Sequence, residues 1–338
     1  MCKMKPDRKV IGELIVGYRK AKILFTAASM NLFSLTRNAA AAGAISRALR
    51  TEPRATGIFL DSLAAMGFLK KKNGFYRNMP LARRFLVPGK KEYLGHNLQY
   101  QDIIWNAWSE LGSVIKSGVP PVALGKLLSG RSKFLGEYIK GMGEIARKPA
   151  EEIASALELS GAADMLDVGG GPGSYSIAFL ERNPNPGARA VIMDLKGTLK
   201  VTRKIIAAHR LHDRITLKPG NYHTSAFGKD RYDLVLFSHV THDEGPEDNL
   251  RLLKKAFAAL RKGGQVVIHD FMLNGNKTAP LFSALFSVHM LVYTKNGRVY
   301  SSEEYSSWLK KAGFRGIKER HICSQTENPS RILVAVKP

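Results

Sequence analysis

Cysteine is nearly absent from this chain: Cys2 and Cys323 are its only two. Two such distant residues make no disulfide framework and have no metal-ligand spacing, which excludes disulfide-stapled scaffolds and cysteine zinc sites. Acidic residues are scarce as well, 28 against 52 Lys and Arg, for a formal net charge of +24. No apolar run reaches the roughly 20 residues of a membrane span. The basic start (Lys3, Lys5, Arg8, Lys9) is followed by Glu13, Tyr18, Arg19 and Lys20, which interrupt any signal-peptide core. Internal repeats and low-complexity linkers are lacking too. These absences lead to the expectation of a soluble, cytoplasmic chain, and 338 residues suit two domains better than one.

Apolar residues make up 44%, enough for sizeable cores. The positive charge is uneven: 26 of the basic but only 9 of the acidic residues fall within positions 1–150. Such an excess suits nucleic acid, an acidic membrane surface or an acidic protein. A general basic bias of the source would also produce it, because the charges are scattered and the longest run is Lys70-Lys71-Lys72.

Ile11, Leu14, Ile15, Tyr18, Ile23 and Leu24 recur at helical intervals over 10–30. Ala39–Leu49 reads as a short Ala-rich helix, and Thr51-Glu52-Pro53 as the start of another that ends at Gly67. Asn73-Gly74 then separates Phe68–Lys72 from Phe75–Arg77, the signature of a type I′ hairpin, in which both central residues take positive φ. Helices followed by a basic hairpin predict a winged helix. Residues 92–160 read as mostly helical, with a turn at Pro120-Pro121. Beyond about 163, apolar strands alternate with helices, as a parallel α/β domain requires. The expected strands are Met165–Val168, Ala190–Asp194, Ile215–Leu217, Leu234–Phe237, Val266–His269 and Ile332–Val336. The expected domains are thus a winged helix at 1–90, a helical connecting region at 91–160 and an α/β domain at 161–338.

The first of these strands ends in Asp167-Val168 and turns through Gly169-Gly170-Gly171-Pro172-Gly173 into a helix. Glycines let a backbone approach a ligand closely. The next strand ends in Asp194, about 20 residues on, where a carboxylate can accept from both ribose hydroxyls. Pro172 breaks the pyrophosphate fingerprint, which favours a cofactor without phosphates. A ligand-free turn and a helix-capping Asp194 are the plainer alternatives.

Taken with Leu60–Leu69, Ala312-Gly313-Phe314 and the closing strand, these segments resemble the plant-type O-methyltransferases, the caffeate and hydroxyindole group with its bacterial branch. The resemblance covers about Ala21 to Lys337. It implies a Rossmann-like class I methyltransferase domain that binds S-adenosyl-L-methionine, behind a mainly helical winged-helix domain that forms a homodimer. It places Asp167, Gly169, Gly171 and Gly173 at the cofactor, Asp194 on its ribose, Leu195 and Asn221 by its adenine, and Ser238 at the same edge.

Phe237–Asp243 follows the fourth strand, at the edge where open α/β sheets bind ligands. By the resemblance, His242 is the general base and Asp270, ending the next strand, its orienting partner. His suits the role because its unperturbed pKa is about 6.5. His269 alternates to the other face and reads as structural. A second acidic residue of the family falls at Val299, its basic residue at Ser238 and its aromatic after His-Asp at Glu244. Met142, Trp105, His289 and Met290 are candidates for the acceptor pocket, with Trp108, Phe134 and Val292 beside them; ordinary core packing is the alternative for each. Metal is not expected, since Phe271 follows Asp270 where magnesium-dependent relatives carry Asn. The expected reaction is methylation of a hydroxyl on an aromatic or polycyclic small molecule. Carbon methylation of a pigment or polycyclic ring, and a nucleic-acid-binding winged helix with a cofactor-sensing domain, stay as alternatives.

Overall fold

The computed structural model describes residues 8–121, 132–324 and 328–338. The chain divides into two units, one ending at Trp105 and the other beginning at Asn106. Among the described residues no helix is long and apolar enough to cross a membrane. Cys323 is a buried thiol that donates to Glu152 Oε2 at 3.3 Å, and Cys2 lies outside the described residues.

In the first unit α1 (Arg8–Ser29) leads into α2 (Leu32–Leu35), α3 (Ala42–Leu49) and α4 (Pro53–Ala65). Glu52 caps α4 by accepting from the Arg54 and Ala55 amides, with Pro53 at the first helical position, as expected from its missing N–H. Strands β2 (Leu69–Lys72) and β3 (Phe75–Asn78) form the hairpin, and Asn73 and Gly74 turn at φ 49° and 77°. Ala40 and Ala41, expected at the start of a helix, instead form β1 and pair with Tyr76 and Phe75, so α3 begins at Ala42. Their small side chains suit either structure, and the hairpin edge decides. Leu32, Phe33, Ile45, Leu60, Leu63, Leu69 and Tyr76 make the core. Tyr76 and Lys71 both donate to Asp61 Oδ1, at 2.7 and 2.6 Å. The wing thus spends one of its three lysines internally, and α4 buries Leu60 and Leu63. Neither feature favours the nucleic-acid alternative. The helix α5 (Pro80–Phe85) and most of α6 (Gly95–Ser109) complete the unit.

The second unit holds α7 (Leu111–Ser117), α8 (Ser132–Ala156) and a seven-stranded sheet. The strands are β4 (Asp164–Val168), β5 (Arg189–Asp194), β6 (Ile215–Pro219), β7 (Tyr232–Ser238), β8 (Leu260–Asp270), β9 (Arg315–Ile322) and β10 (Ser330–Val336). Their order is β6-β5-β4-β7-β8-β10-β9; β4 to β8 pair in parallel, and β10 runs antiparallel to both its neighbours. Side chains alternate between two cores, with Leu234 and Leu236 in one and Val235 and Phe237 in the other. The first core packs against α8, α9 (Ser174–Arg182) and α10 (Lys196–Ala208), the second against α11 (Pro246–Ala259) and α13 (Ser302–Ala312). Helix α12 (Leu281–Tyr293) precedes α13. After β4 the chain builds outward through β5 and β6, then returns to β7 on the other side. That reversal opens a crevice at the carboxyl ends of β4 and β7, where such sheets bind ligands.

Candidate active site at the carboxyl edge of the sheet

The glycine turn after β4 is held before any ligand arrives. Gly169, Gly171 and Gly173 stand at φ 67°, 50° and 81°, a region that favours glycine. The Gly171 amide donates to Asp194 Oδ2 at 2.9 Å, and its carbonyl accepts from Thr202 Oγ1 at 2.6 Å. The Leu195 amide donates to Asp194 Oδ1 at 2.6 Å, so the carboxylate is pinned at both oxygens. Each oxygen keeps lone-pair capacity for a further donor such as a ribose hydroxyl. A Cβ on Gly171 would meet nothing nearer than the Gly169 carbonyl at 3.9 Å, so this side of the loop is open. On Gly170 it would lie 2.7 Å from Asp167 Cγ, which places the Asp167 carboxyl beneath the loop. Asp167 is fully buried; Ser176 Oγ donates to its Oδ2 at 2.8 Å, and its Oδ1 has no partner among the described residues. Burial, reinforced by the nearby Asp194 charge and opposed by the Ser176 bond, pushes its pKa up to about 7. An open glycine cradle, a pinned carboxylate and the exposed Leu195 fit a nucleoside without phosphates, and Asp167 offers negative charge below it.

After the neighbouring strand β7, the 3₁₀ turn Thr241–Asp243 carries His242. His242 and Asp270 are buried, 4% and 0% exposed, and His242 Nδ1 lies 2.6 Å from Asp270 Oδ1. With Nδ1–H donating to the carboxylate, Nε2 is the ring's proton-accepting atom. The same Oδ1 accepts from the Phe271 amide at 2.8 Å. Oδ2 accepts from the hydroxyls of Thr241 and Tyr305, each at 2.9 Å. Tyr305 is set by the first turn of α13, where Ser301 and Glu304 form a capping box. Burial opposes charge on His242, but Asp270 outweighs it by charge and hydrogen bond, with Asp243 adding, so the imidazole titrates above its usual range. Despite burial, His242 and His239 hold Asp270 well below the usual carboxylate range.

The other neighbours divide clearly. His239, at φ 54°, sets Nδ1 3.6 Å from Asp270 Oδ1, beyond hydrogen-bond length, and its ring packs 4.3 Å from those of His269 and Phe271. His269 is fully buried with both nitrogens engaged, Nδ1 by Ser238 and Nε2 by Ser330, each at 2.8 Å. Ser238 is thereby committed to that bond. Val299, where the family's second acid was expected, is buried, and its amide donates to Ser287. Asp243 brings a carboxylate oxygen within 3.8 Å of His242 Nε2 instead; burial pushes its pKa up to about 6. Glu244 is also buried and accepts from Tyr222 and His223.

Of the remaining expected residues, Met142 is half-buried beside Gly143, where an added Cβ would meet Pro172 of the glycine turn at 3.3 Å. The Trp108 indole donates to His289 Nδ1 at 3.1 Å. Trp105 falls in the first unit and sets its ring edge-on to Phe25. Met290 is buried at 3% exposure, and its carbonyl accepts from Thr294. Asn221 is exposed and uses Oδ1 to accept from the His223 amide. Sequence reasoning missed Thr241, Tyr305 and an aromatic wall of Phe271, Phe282 and Phe286, whose ring centroids lie 4.8–5.9 Å apart. Phe286 stands edge-on to His242 at 5.0 Å. A hydroxyl beside the histidine was the only available signal, at Thr241.

Residues 124–315 match the O-methyltransferase domain family and residues 12–88 the O-methyltransferase dimerisation domain. The chain is 29% identical to an L-tyrosine C(3)-methyltransferase of Streptomyces lavendulae, over 98% of this chain and 93% of that one. It is 26% identical to a 3-hydroxy-5-methyl-1-naphthoate 3-O-methyltransferase of Streptomyces sahachiroi, over 94% and 93%. The solved structure of PigF with SAH, PigF being a methyltransferase known from a Serratia species, superposes with a TM-score of 0.88 at 25% identity, covering 98% of this chain and 100% of that one. With the pinned Asp194 carboxylate and the buried His–Asp pair at one sheet edge, these matches place the chain in the O-methyltransferase family, as a homodimeric, S-adenosylmethionine-dependent methyltransferase.

Proposed function

We propose that the enzyme methylates a hydroxyl on an aromatic or polycyclic small molecule, with His242 as general base and Asp270 as its positioning residue. The observation that carries this reading is the 2.6 Å bond from His242 Nδ1 to a carboxylate whose every oxygen is otherwise satisfied. S-adenosylmethionine, when bound, supplies an activated sulfonium methyl. Asp194, Leu195 and Asn221 bind its nucleoside part, and the glycine turn, with the Asp167 charge beneath it, flanks its methionine part. His242 Nε2 then takes the hydroxyl proton, and Asp270 and Asp243 stabilise the imidazolium that forms. Phe271, Phe282 and Phe286 offer faces on which a flat acceptor can stack. The relatives named for a naphthoate and for a tyrosine ring act on aromatic compounds, in keeping with that wall.

The functional partition follows: residues 1–90 dimerise, 91–160 furnish Trp108 and Met142 on the acceptor side, and 161–338 bind the cofactor and remove the proton. The reaction is assigned to the cytoplasm, where this cofactor is made. His242→Ala should leave S-adenosylhomocysteine binding intact by calorimetry and lower turnover of a phenolic acceptor by about two to four orders of magnitude. Asp194→Ala should do the reverse at the first step and weaken that binding. Unchanged turnover in His242→Ala would remove the base assignment.

A further inference from the structure

The two histidines that flank Phe286 are held in opposite hydrogen-bonding states. Their ring centroids lie 5.0 Å (His242) and 5.2 Å (His289) from that of Phe286. His242 donates from Nδ1 to Asp270, which leaves Nε2 to accept. His289 is the reverse. Its Nδ1 faces the indole nitrogen of Trp108 at 3.1 Å, and an indole N–H can only donate. His289 Nδ1 must therefore accept, and the ring's proton sits on Nε2. Among the described residues Trp108 is the one hydrogen-bond partner of the His289 ring, so Nε2–H has its bond still to make. The ring is also fixed in direction by Tyr293, 4.8 Å away, and by its near-parallel stack with Trp108.

We propose that His289 is a specificity-determining hydrogen-bond donor, and that the acceptor it selects carries a carbonyl or comparable oxygen across the ring system from the hydroxyl to be methylated. The inference rests on the proposed hydroxyl methylation and adds the substrate class, a hydroxylated polycyclic ketone or quinone. Three features support it. Burial, with the nearby His242 charge adding, lowers the His289 pKa to about 4, so the ring stays neutral and Nε2 stays a single fixed donor at working pH. The two histidines are separated by one phenyl ring, a span that a fused two- or three-ring acceptor can bridge. Between them the wall of Phe271, Phe282 and Phe286 presents aromatic faces to such a molecule. An acceptor without that oxygen leaves the donor unpaired in a desolvated site, and this penalty is the source of the discrimination.

The test is calorimetric titration of the full-length protein, saturated with S-adenosylhomocysteine, against 2-hydroxyanthraquinone and 2-hydroxyanthracene. Wild type should bind the quinone about ten-fold more tightly than its carbonyl-free analogue. His289→Phe should erase that ratio, and His289→Gln, which retains an N–H donor, should keep most of it. Trp108→Phe frees Nδ1, lets the ring take either tautomer and should cut the ratio several-fold. Prior binding of S-adenosylhomocysteine shows that each variant is folded. Equal affinities in wild type, binding of neither compound, or a preference that survives His289→Phe would overturn the inference. Because no turnover is required, this result is independent of the His242→Ala kinetics that decide the base.

Discussion

Replacing Asp167 with Asn should make the catalytic unit more stable at high pH and no more stable in acid. The carboxyl is fully buried with one oxygen unpaired, and its pKa is raised from 3.8 to about 7. A raised carboxyl pKa means that the folded protein holds a proton which the unfolded chain has released. Stability is therefore full below the unfolded value and is lost as pH climbs through the folded one. At about 1.4 kcal/mol per unit, the three-unit gap sets a ceiling of about 4 kcal/mol, roughly 3 of it lost between pH 5 and 8. Asn keeps an oxygen for the Ser176 hydroxyl but brings an N–H to the side where Oδ1 is unpaired. That offsets part of the gain, so about 1–3 kcal/mol should remain at pH 8. Urea denaturation of wild type and variant at pH 5, 6.5 and 8 measures it. A stability difference that does not change over this range, or one that favours wild type at pH 8, would refute the argument. The variant should also bind S-adenosylhomocysteine more weakly, because the unfavourable charge is retained where the cofactor's ammonium can use it.

With His242 as the proposed base, its raised pKa should make kcat/KM rise with pH through a limb above 6.5, since the imidazole must be neutral to accept a proton. Asp270→Asn removes the charge that raises it; the limb should move to lower pH while the plateau falls by roughly two orders of magnitude or more, read from a pH–rate profile. On α1, Ile11, Leu14, Ile15 and Tyr18 are 55–74% exposed at helical spacing, a face of the dimerisation domain that no other described residue of the chain covers. Leu14→Glu should shift the protein from dimer to monomer in sedimentation velocity.

What could be read from the sequence was what depends on local pattern. Asn73-Gly74 dictates its turn from two residues, and the six apolar strands announce themselves by composition. Asp194, His242 and Asp270 sit at or just past strand ends, so a parallel sheet brings them to one edge without further information. Strand β9 was missed because it is an edge strand; its Lys318, Glu319 and Arg320 look like a solvated loop, and among the described residues only β10 pairs with it. Tyr305 lies 35 residues from the carboxylate it supports, and nothing nearby in sequence marks it. The phenylalanine wall was equally hidden, because aromatics at helical spacing read the same whether they fill a core or face a ligand. His289 was identified as an acceptor residue, but its partner Trp108 fixes what it can do, and that required three dimensions.

The pinning of Asp194 by Gly171 and Leu195 divides the labour of catalysis unequally. In the proposed function those groups grip the part of the cofactor that is the same before and after the methyl leaves, so whatever affinity they give to reactant they give equally to product. Binding of that kind lowers KM without raising kcat. On that reading the rate comes from the far side of the crevice, where the proposed base His242 and its partner Asp270 meet charge that exists only in transit. The by-product, held by the same ready-made cradle, becomes the natural inhibitor. An enzyme built this way runs at a speed set as much by how fast its surroundings clear S-adenosylhomocysteine as by its own chemistry.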